Sequence, residues 1–311
     1  MLEQIPVIEL SALKNSDTKS TETVGQAFHD IGFIFVKMPE VSAILPGAFE
    51  EFRKVFSLPS EVKKKYEHEE LAHQYGWTPP FTEVALACRR KGMPDAKENW
   101  FMGPEVDPKV DDIAERFSNQ YRENIWPDEV PGLRKSMSEL YYALYGCGLE
   151  VLRAVGRCIG KPDGYFDEMI KNGPTRLRGI NYPPITEDQV GKIVWGCQHT
   201  DINFVTVLPA STRQGLWIRR RDGQWIPGNA PENCVIAQVG DMLQYLTTRE
   251  FISAWHEVRA PNHPTAEGRL SGALFIHPRP DVVFDPRNKR FPAITAEELL
   301  AKRLKDIGLG Y

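Results

Sequence analysis

The chain lacks an excess of either charge. Its 38 Lys and Arg face 42 Asp and Glu, a formal net charge of −4 over 311 residues. Gripping a phosphate backbone needs a clustered positive field, so no nucleic-acid partner is expected. The two basic runs, Lys63-Lys64-Lys65 and Arg219-Arg220-Arg221, are short and flanked by Glu61, Glu67 and Asp222. They read as solvated faces. Cysteine is scarce: Cys88, Cys147, Cys158, Cys197 and Cys234, an odd number with no CxxC pair. That pattern predicts reduced, mostly buried thiols in a cytoplasmic protein. No apolar run approaches the ~20 residues that a membrane helix needs. The opening MLEQIPVIELSALKNSD has neither a basic n-region nor a long apolar h-region, so neither a membrane span nor a secretory leader is expected. Internal repeats and low-complexity linkers are absent as well.

What is present is ordinary globular material, 41% hydrophobic and 26% charged. A chain of this length buries roughly 75% of its unfolded surface and needs no staple. Helical periodicity dominates before about residue 172. A short strand is predicted at Ile5 to Leu10, helices at Thr21 to Ile31, Val41 to Phe56 and Glu61 to Tyr66, and a strand at Phe33 to Val36. Gly32 is placed to cap the helix before it. Residues 71 to 100 read as irregular, and a loop of that length is usually functional. Between Pro131 and Gly160, the residues Leu133, Met137, Leu140, Leu144, Cys147, Val151, Val155 and Cys158 recur at intervals of three and four. They form one apolar stripe on a long helix, expected to lie against the sheet that follows. From Thr175 onward, short β-rich runs are predicted near 175–182, 193–199, 203–208, 215–220, 224–227, 233–239, 242–246, 253–259 and 269–276. Asp222-Gly223 marks a hairpin and Gly240-Asp241 another turn. Many short strands with regular turns point to an antiparallel sandwich or barrel.

Two patterns carry chemistry. His199 and Asp201 are i and i+2, which on a strand puts them on one face. His256 lies on a later strand that could reach the same cavity. Two imidazoles and one carboxylate on one face of a metal leave the opposite positions open, a set that suits non-haem Fe(II). Arg269 and Ser271 are again i and i+2, opening an apolar strand. A buried guanidinium needs an acceptor. A carboxylate-bearing cosubstrate would meet it bidentately, with Ser271 adding a hydroxyl.

Read together, these segments resemble the isopenicillin N synthase-like branch of the 2-oxoglutarate/Fe(II)-dependent dioxygenases. The resemblance rests on IPVIEL, FHDIGFIFVK, FSLPSEVKKKY, KENWFMG and NIWPDEVPGLR in the first half. In the second half it rests on RLRGINYPP, on QHTDINFVTVLPASTRQGLWIRRRDGQWIPG, on VGDMLQYLTTREFISAWHEV and on RLSGALFIHP. The chain departs from the family in having VKMPE where an Asn-His-Gly follows the second strand, and in the turn before His256.

The resemblance implies a mainly β fold with flanking helices, whose core is a distorted double-stranded β-helix (jelly roll). It implies His199, Asp201 and His256 as iron ligands, and Arg269 and Ser271 as binders of the distal carboxylate of 2-oxoglutarate. Tyr182 would lie near the cosubstrate, and Arg178, on the same strand face, would approach cosubstrate or substrate. His263 and His277 are the histidines that could be mistaken for ligands.

The implied activity couples decarboxylation of 2-oxoglutarate to succinate with O2-dependent hydroxylation, desaturation or cyclisation of a small-molecule substrate. The implied organisation is an N-terminal region (1–130), a long supporting helix and linker (131–172), the jelly-roll core (173–280) and a C-terminal helix (281–311). Residues 71–100 and the helix from about Ala296 to Leu304 are the candidate substrate lid. Arg89, Arg90 and Lys91 either meet an acidic substrate group or form a solvated loop. Two other readings stay open at this point. One is an oxidase of the same fold that does without 2-oxoglutarate; the ending KDIGLGY, lacking a Gln, favours 2-oxoglutarate. The other is a zinc hydrolase using the same two His and one Asp. A non-catalytic binding module would need neither pattern. Oligomeric state is not readable.

Overall fold

The structure, a computed structural model, describes residues 2–71, 73–84, 94–106, 111–285 and 291–307. Arg89, Arg90, Lys91 and Cys88 lie outside the described residues. The strands relevant to the site are β1 (Val7–Glu9), β2 (Phe33–Lys37), β3 (Gly76–Thr78), β4 (Glu98–Met102), β5 (Arg176–Tyr182), β6 (Gly196–His199), β7 (Val205–Pro209), β8 (Leu216–Arg219), β9 (Trp225–Pro227), β10 (Cys234–Val239), β11 (His256–Val258) and β12 (Arg269–Ile276). Eight of them form one sheet in the order β1-β2-β10-β7-β12-β5-β4-β3, and four form a second in the order β6-β11-β8-β9. Apart from the parallel β1–β2 pair, the ladders within these two sheets are antiparallel.

Period-two alternation decides which residues face where. On β12, Leu270, Leu274 and Ile276 join the core cluster that contains the long helix Leu133–Cys158. On β10, Val235, Ala237 and Val239 do the same. The residues between them on each strand therefore face the other way: Arg269, Ser271, Ala273 and Phe275 on β12, and Ile236 and Gln238 on β10. Ala273 and Ile236 pack there with Ile180 and Tyr182 of β5 and with Leu216 and Ile218 of the second sheet. The jelly roll thus has an outer apolar face braced by helices and an inner face that holds the polar residues.

The long helix supports this arrangement. Leu133, Met137, Leu140, Leu144, Val151 and Val155 of its stripe are fully buried, and it packs on β7, β12 and two N-terminal helices, Thr18–Asp30 and Val41–Phe56. Gly32 closes the first of these helices at φ +78° and donates its N–H to Ala27 O at 2.9 Å. The predicted hairpin forms between β8 and β9, with Gly223 at φ +88°.

Three expectations are corrected. Residues 242–246 are not a strand but part of the helix Asp241–Leu246. A short apolar run does not distinguish strand from helix by itself. Here Gly240 is extended and Asp241 opens the first turn, where a carboxylate complements the helix dipole. Residues 71–100 are not wholly irregular, since β3 and the start of β4 extend the large sheet. All five residues of β4 are buried, so it shows no alternation by which to find it. The cysteines are not all reduced. Cys147, Cys158 and Cys234 are free thiols, but Cys197 is disulfide-bonded, so thiol reduction no longer argues for a compartment. Among the described residues, no helix is long and apolar enough to cross a membrane.

The helix-on-sheet contact makes a stability prediction. A Cβ added at Gly148 would lie 2.1 Å from Ile276 Cδ1 and 3.1 Å from Val207 Cγ2, whereas one at Gly146 meets nothing within 4 Å. Gly148→Val should therefore lower stability by about 1–3 kcal/mol through overpacking. Gly146→Ala should raise it by about 0.5–1 kcal/mol through helix propensity. Thermal and denaturant unfolding of the two variants checks the opposite signs.

Candidate metal centre and adjoining cavity

β6 and β11 lie side by side with His199 opposite His256, and the two ring centroids are 4.3 Å apart. His199 Nδ1 is 2.7 Å from Cys197 O, and His256 Nδ1 is 3.1 Å from Ala254 O. A carbonyl only accepts, so each Nδ1 carries a proton, and in the neutral ring the lone pair is then on Nε2. Both Nε2 atoms lie 3.7 Å from Asp201 Oδ1. The candidate ligand atoms of the three residues fall within 4.8 Å of one another.

Asp201 reaches this point by a route that the i, i+2 argument did not foresee. β6 ends at His199, so strand alternation does not carry Asp201. Its backbone is held instead by Asp241 N, which donates to Asp201 O at 2.7 Å. Its Oδ2 accepts from Thr206 Oγ1 at 2.5 Å and from Gln238 Nε2, leaving Oδ1 turned to the imidazoles. Thr206 is held in turn by Asn203 Nδ2 at 3.1 Å. Burial would raise the Asp201 pKa, but the imidazoles of His256 and His199 and the bonds from Thr206 and Gln238 outweigh it and hold the carboxyl below its usual range. Burial, then the nearby His199, pushes His256 down to about 4 and keeps it neutral. Two imidazoles and one carboxylate, with their Nε2 and Oδ1 atoms converging, are the donor set that Fe(II) takes in facial triads. The residues fit the metal.

Arg269 and Tyr182 are register partners across β12 and β5. The Arg269 side chain is 4% exposed and lies over the Tyr182 ring at 5.0 Å. Its Nε donates to Arg213 O at 3.0 Å, but its Nη1 has no hydrogen-bond partner. Burial lowers its pKa, partly offset by Tyr182. Ser271, also buried, follows on the same face. His199, Asp201, His256, Arg269, Ser271 and Tyr182 all line one cavity of about 220 Å³.

Comparison with known proteins agrees with this geometry. Residues 5–129 match the family described as non-haem dioxygenase in morphine synthesis N-terminal, and residues 173–278 match the 2OG-Fe(II) oxygenase superfamily. A 2OG-Fe(II) oxygenase family protein from Caulobacter crescentus has a similar structure, at 30% identity and a TM-score of 0.84, covering 98% of this chain and 100% of that one. The chain belongs to the 2OG-Fe(II) oxygenase family. A full-length Neurospora crassa protein, solved in complex with alpha-KG, is 25% identical at a TM-score of 0.82, with 98% of each chain covered. The proline hydroxylase buaE of Petromyces alliaceus is 29% identical over 269 residues, 82% of this chain and 80% of that protein. This oxygenase is a 2-oxoglutarate- and Fe(II)-dependent dioxygenase, which removes the zinc hydrolase and the oxidase without 2-oxoglutarate from consideration.

The remaining sequence-predicted residues of this oxygenase divide. Arg178 lines the cavity, but its fork is taken up by Glu83, at 3.1 Å and 3.2 Å, and its plane lies between Phe101 and Phe275 at 4.6 Å and 5.2 Å. Glu83 also accepts from Lys97 at 3.0 Å, and Lys97 pairs with Asp95. Burial opposes ionisation of Glu83, yet Arg178 and Lys97 hold its pKa at about 2. Asp95 Oδ1 accepts from Cys197 N at 2.9 Å, so this charged cluster is tied to β6, the strand that ends at His199. His263 is exposed on its loop, outside the cluster. His277 lines the cavity but is not a member of the triad.

Both candidate lid segments border the cavity, through Gln74 and Glu83 on one side and Leu300, Arg303 and Leu304 on the other. Arg303 reaches Asp241 at 2.7 Å and Thr200 Oγ1 at 3.3 Å. Sequence reasoning missed Thr206, Gln238, Glu83, Asp95 and Lys97. Thr206 and Gln238 stand inside or beside the quoted motifs, but nothing in a residue type announces that it will meet one carboxylate oxygen.

Partners one shell away from a metal typically change its affinity 10- to 100-fold. Thr206→Val, nearly the same shape without the donor, should weaken Fe(II) binding by about that factor while leaving circular dichroism unchanged. Chelator competition measures it.

Proposed function

We propose that His199, Asp201 and His256 hold Fe(II), that Arg269 and Ser271 bind the distal carboxylate of 2-oxoglutarate, and that Tyr182 packs beside it. The observation that carries this assignment is the buried Arg269 guanidinium with an unpartnered Nη1, opening on the same cavity as three converging ligand atoms. Burying such a charge costs several kcal/mol unless an anion meets it. A dicarboxylate whose other end chelates the metal satisfies both demands. The alpha-KG complex of the similar Neurospora protein supports the reading.

With Fe(II) and 2-oxoglutarate bound, the metal supplies O2 activation: one oxygen atom goes to succinate as CO2 leaves, and the other serves to oxidise a C–H bond of the substrate. This chain's residues do the rest. Cys197 O and Ala254 O fix the imidazole tautomers. Thr206 and Gln238 aim one carboxylate oxygen. The helix Ala296–Ile307 borders the cavity through Leu300, Arg303 and Leu304. Arg178, occupied by Glu83, belongs to the substrate side rather than to the cosubstrate.

A cavity of about 220 Å³ suits a small molecule. The division into 1–130, 131–172, 173–280 and 281–311 is carried forward as the working organisation, supported by the two family matches at 5–129 and 173–278.

Anaerobic titration with Fe(II) and 2-oxoglutarate should give a metal-to-ligand charge-transfer band, and admitting O2 should give succinate. His199→Ala should lose both, and its retaining them would sink the ligand assignment. Arg269→Gln removes a charge-assisted pair worth about 2–4 kcal/mol. It should raise the dissociation constant of 2-oxoglutarate by about 30-fold or more, with Fe(II) affinity intact.

A further inference from the structure

Among the described residues, the charges in the cavity wall pair off with one exception. Glu83 and Asp95 answer Arg178 and Lys97, and Asp241 answers Arg303. On the assignment above, Fe(II), the Asp201 carboxylate, dianionic 2-oxoglutarate and Arg269 also sum to zero. Arg176 is left over. It lines the same cavity, is 7% exposed, and has no acidic partner among the described residues. Its Nη2 donates to Gln120 O at 2.8 Å, and its Nη1 donates to nothing. The guanidinium lies over the Tyr75 ring at 4.4 Å, but one ring face offsets only part of the cost of burying the charge.

The position is built for that group. A Cβ at Gly103 would lie 2.6 Å from Arg176 Nη1 and 3.2 Å from Tyr75 Oη, so the missing side chain makes the room. Across the ladder from Arg176 is Phe275. Next on that inner face comes His277, whose Nδ1 is also buried without a partner. Burial and the charge of Arg176 keep that imidazole neutral.

Arg176 cannot share the anion of Arg269. Arg269 stands opposite Tyr182, six residues along β5 from Arg176, or about 20 Å at strand rise. Between the two ends the inner face presents Ile180 and Ala273, and Arg178, whose fork is filled by Glu83 and whose guanidinium is covered by Phe101 and Phe275, all lining the cavity.

We propose that Arg176, with His277 beside it, anchors a single negative charge on the substrate. The substrate class is then a monocarboxylic acid with an apolar body, its acid group at the far end of β5 from 2-oxoglutarate. This rests on the cosubstrate assignment above, because only an occupied Arg269 leaves Arg176 as the one unanswered cation of the cavity wall among the described residues.

The test uses the full chain loaded with Mn(II) and saturating 2-oxoglutarate, so that acids are not read at Arg269. Calorimetric titration compares benzoate, phenylacetate and hexanoate with their primary amides. At least one acid should bind 10-fold or more tightly than its amide. Arg176→Gln should abolish that preference, Arg176→Lys should keep part of it, and neither should change the dissociation constant of 2-oxoglutarate.

The proposal is overturned if no acid binds by 10 mM, if amides bind as well as acids, or if Arg176→Gln leaves the preference intact. Loss of 2-oxoglutarate binding in Arg176→Gln would also overturn it, in favour of a structural role. The acid-over-amide comparison on the unaltered protein does not depend on any variant folding. An unchanged 2-oxoglutarate affinity in Arg269→Gln would defeat the cosubstrate assignment separately.

Discussion

Two hydrogen bonds to backbone carbonyls hold the centre of this protein together. Cys197 O and Ala254 O each take the Nδ1 proton of the histidine two residues later. That forces both lone pairs onto Nε2, and the cross-strand pairing of β6 with β11 points them at one carboxylate oxygen. If either imidazole adopted the other tautomer, it would present a proton to the metal position. The convergence of these three side chains therefore depends on strand register as well as on their residue types.

The same sheet geometry separates support from chemistry. Odd residues of β12 and even residues of β5 and β10 face inward, and their neighbours go to the helix-braced core. The outer face packs tightly against the long helix, and the polar groups it carries at its β4–β5 end, Glu98 and Asn181, are bonded to each other and to Lys63. The inner face can hold several buried charges because most of them answer one another, as Glu83, Arg178, Lys97 and Asp95 do. The cations without such an answer lie toward opposite ends of one strand pair. That separation gives the cavity two distinct ends, one marked by Arg269 and the other by Arg176.

The enclosure is charged at its rim as well. Arg303 of the C-terminal helix is joined to Asp241 and Thr200, and Asp241 N holds the backbone of Asp201. One short turn therefore links the wall of the cavity to Asp201. Lys97 and Asp95 make a comparable link on the other side, through Cys197 N.

The linear chain alone determined the broad architecture. Alternation marked most of the core strands, spacing by three and four marked the long helix, and the pairs His199/Asp201 and Arg269/Ser271 pointed to the site. These are signals of period and residue type, which local backbone geometry imposes on any sequence that folds this way. The helix Asp241–Leu246 was misread because a short apolar run has no period of its own, and β4 escaped because both its faces are covered. Only the tertiary structure decided that Thr206 and Gln238 share an Asp201 oxygen, that Glu83 occupies the Arg178 fork, and that Arg176 is left without an acidic partner among the described residues. Apart from Thr206, five residues from Asp201, these partners come from segments distant in the chain. Which charge finds which partner is set by how the sheets and loops are brought together, and no local pattern records it.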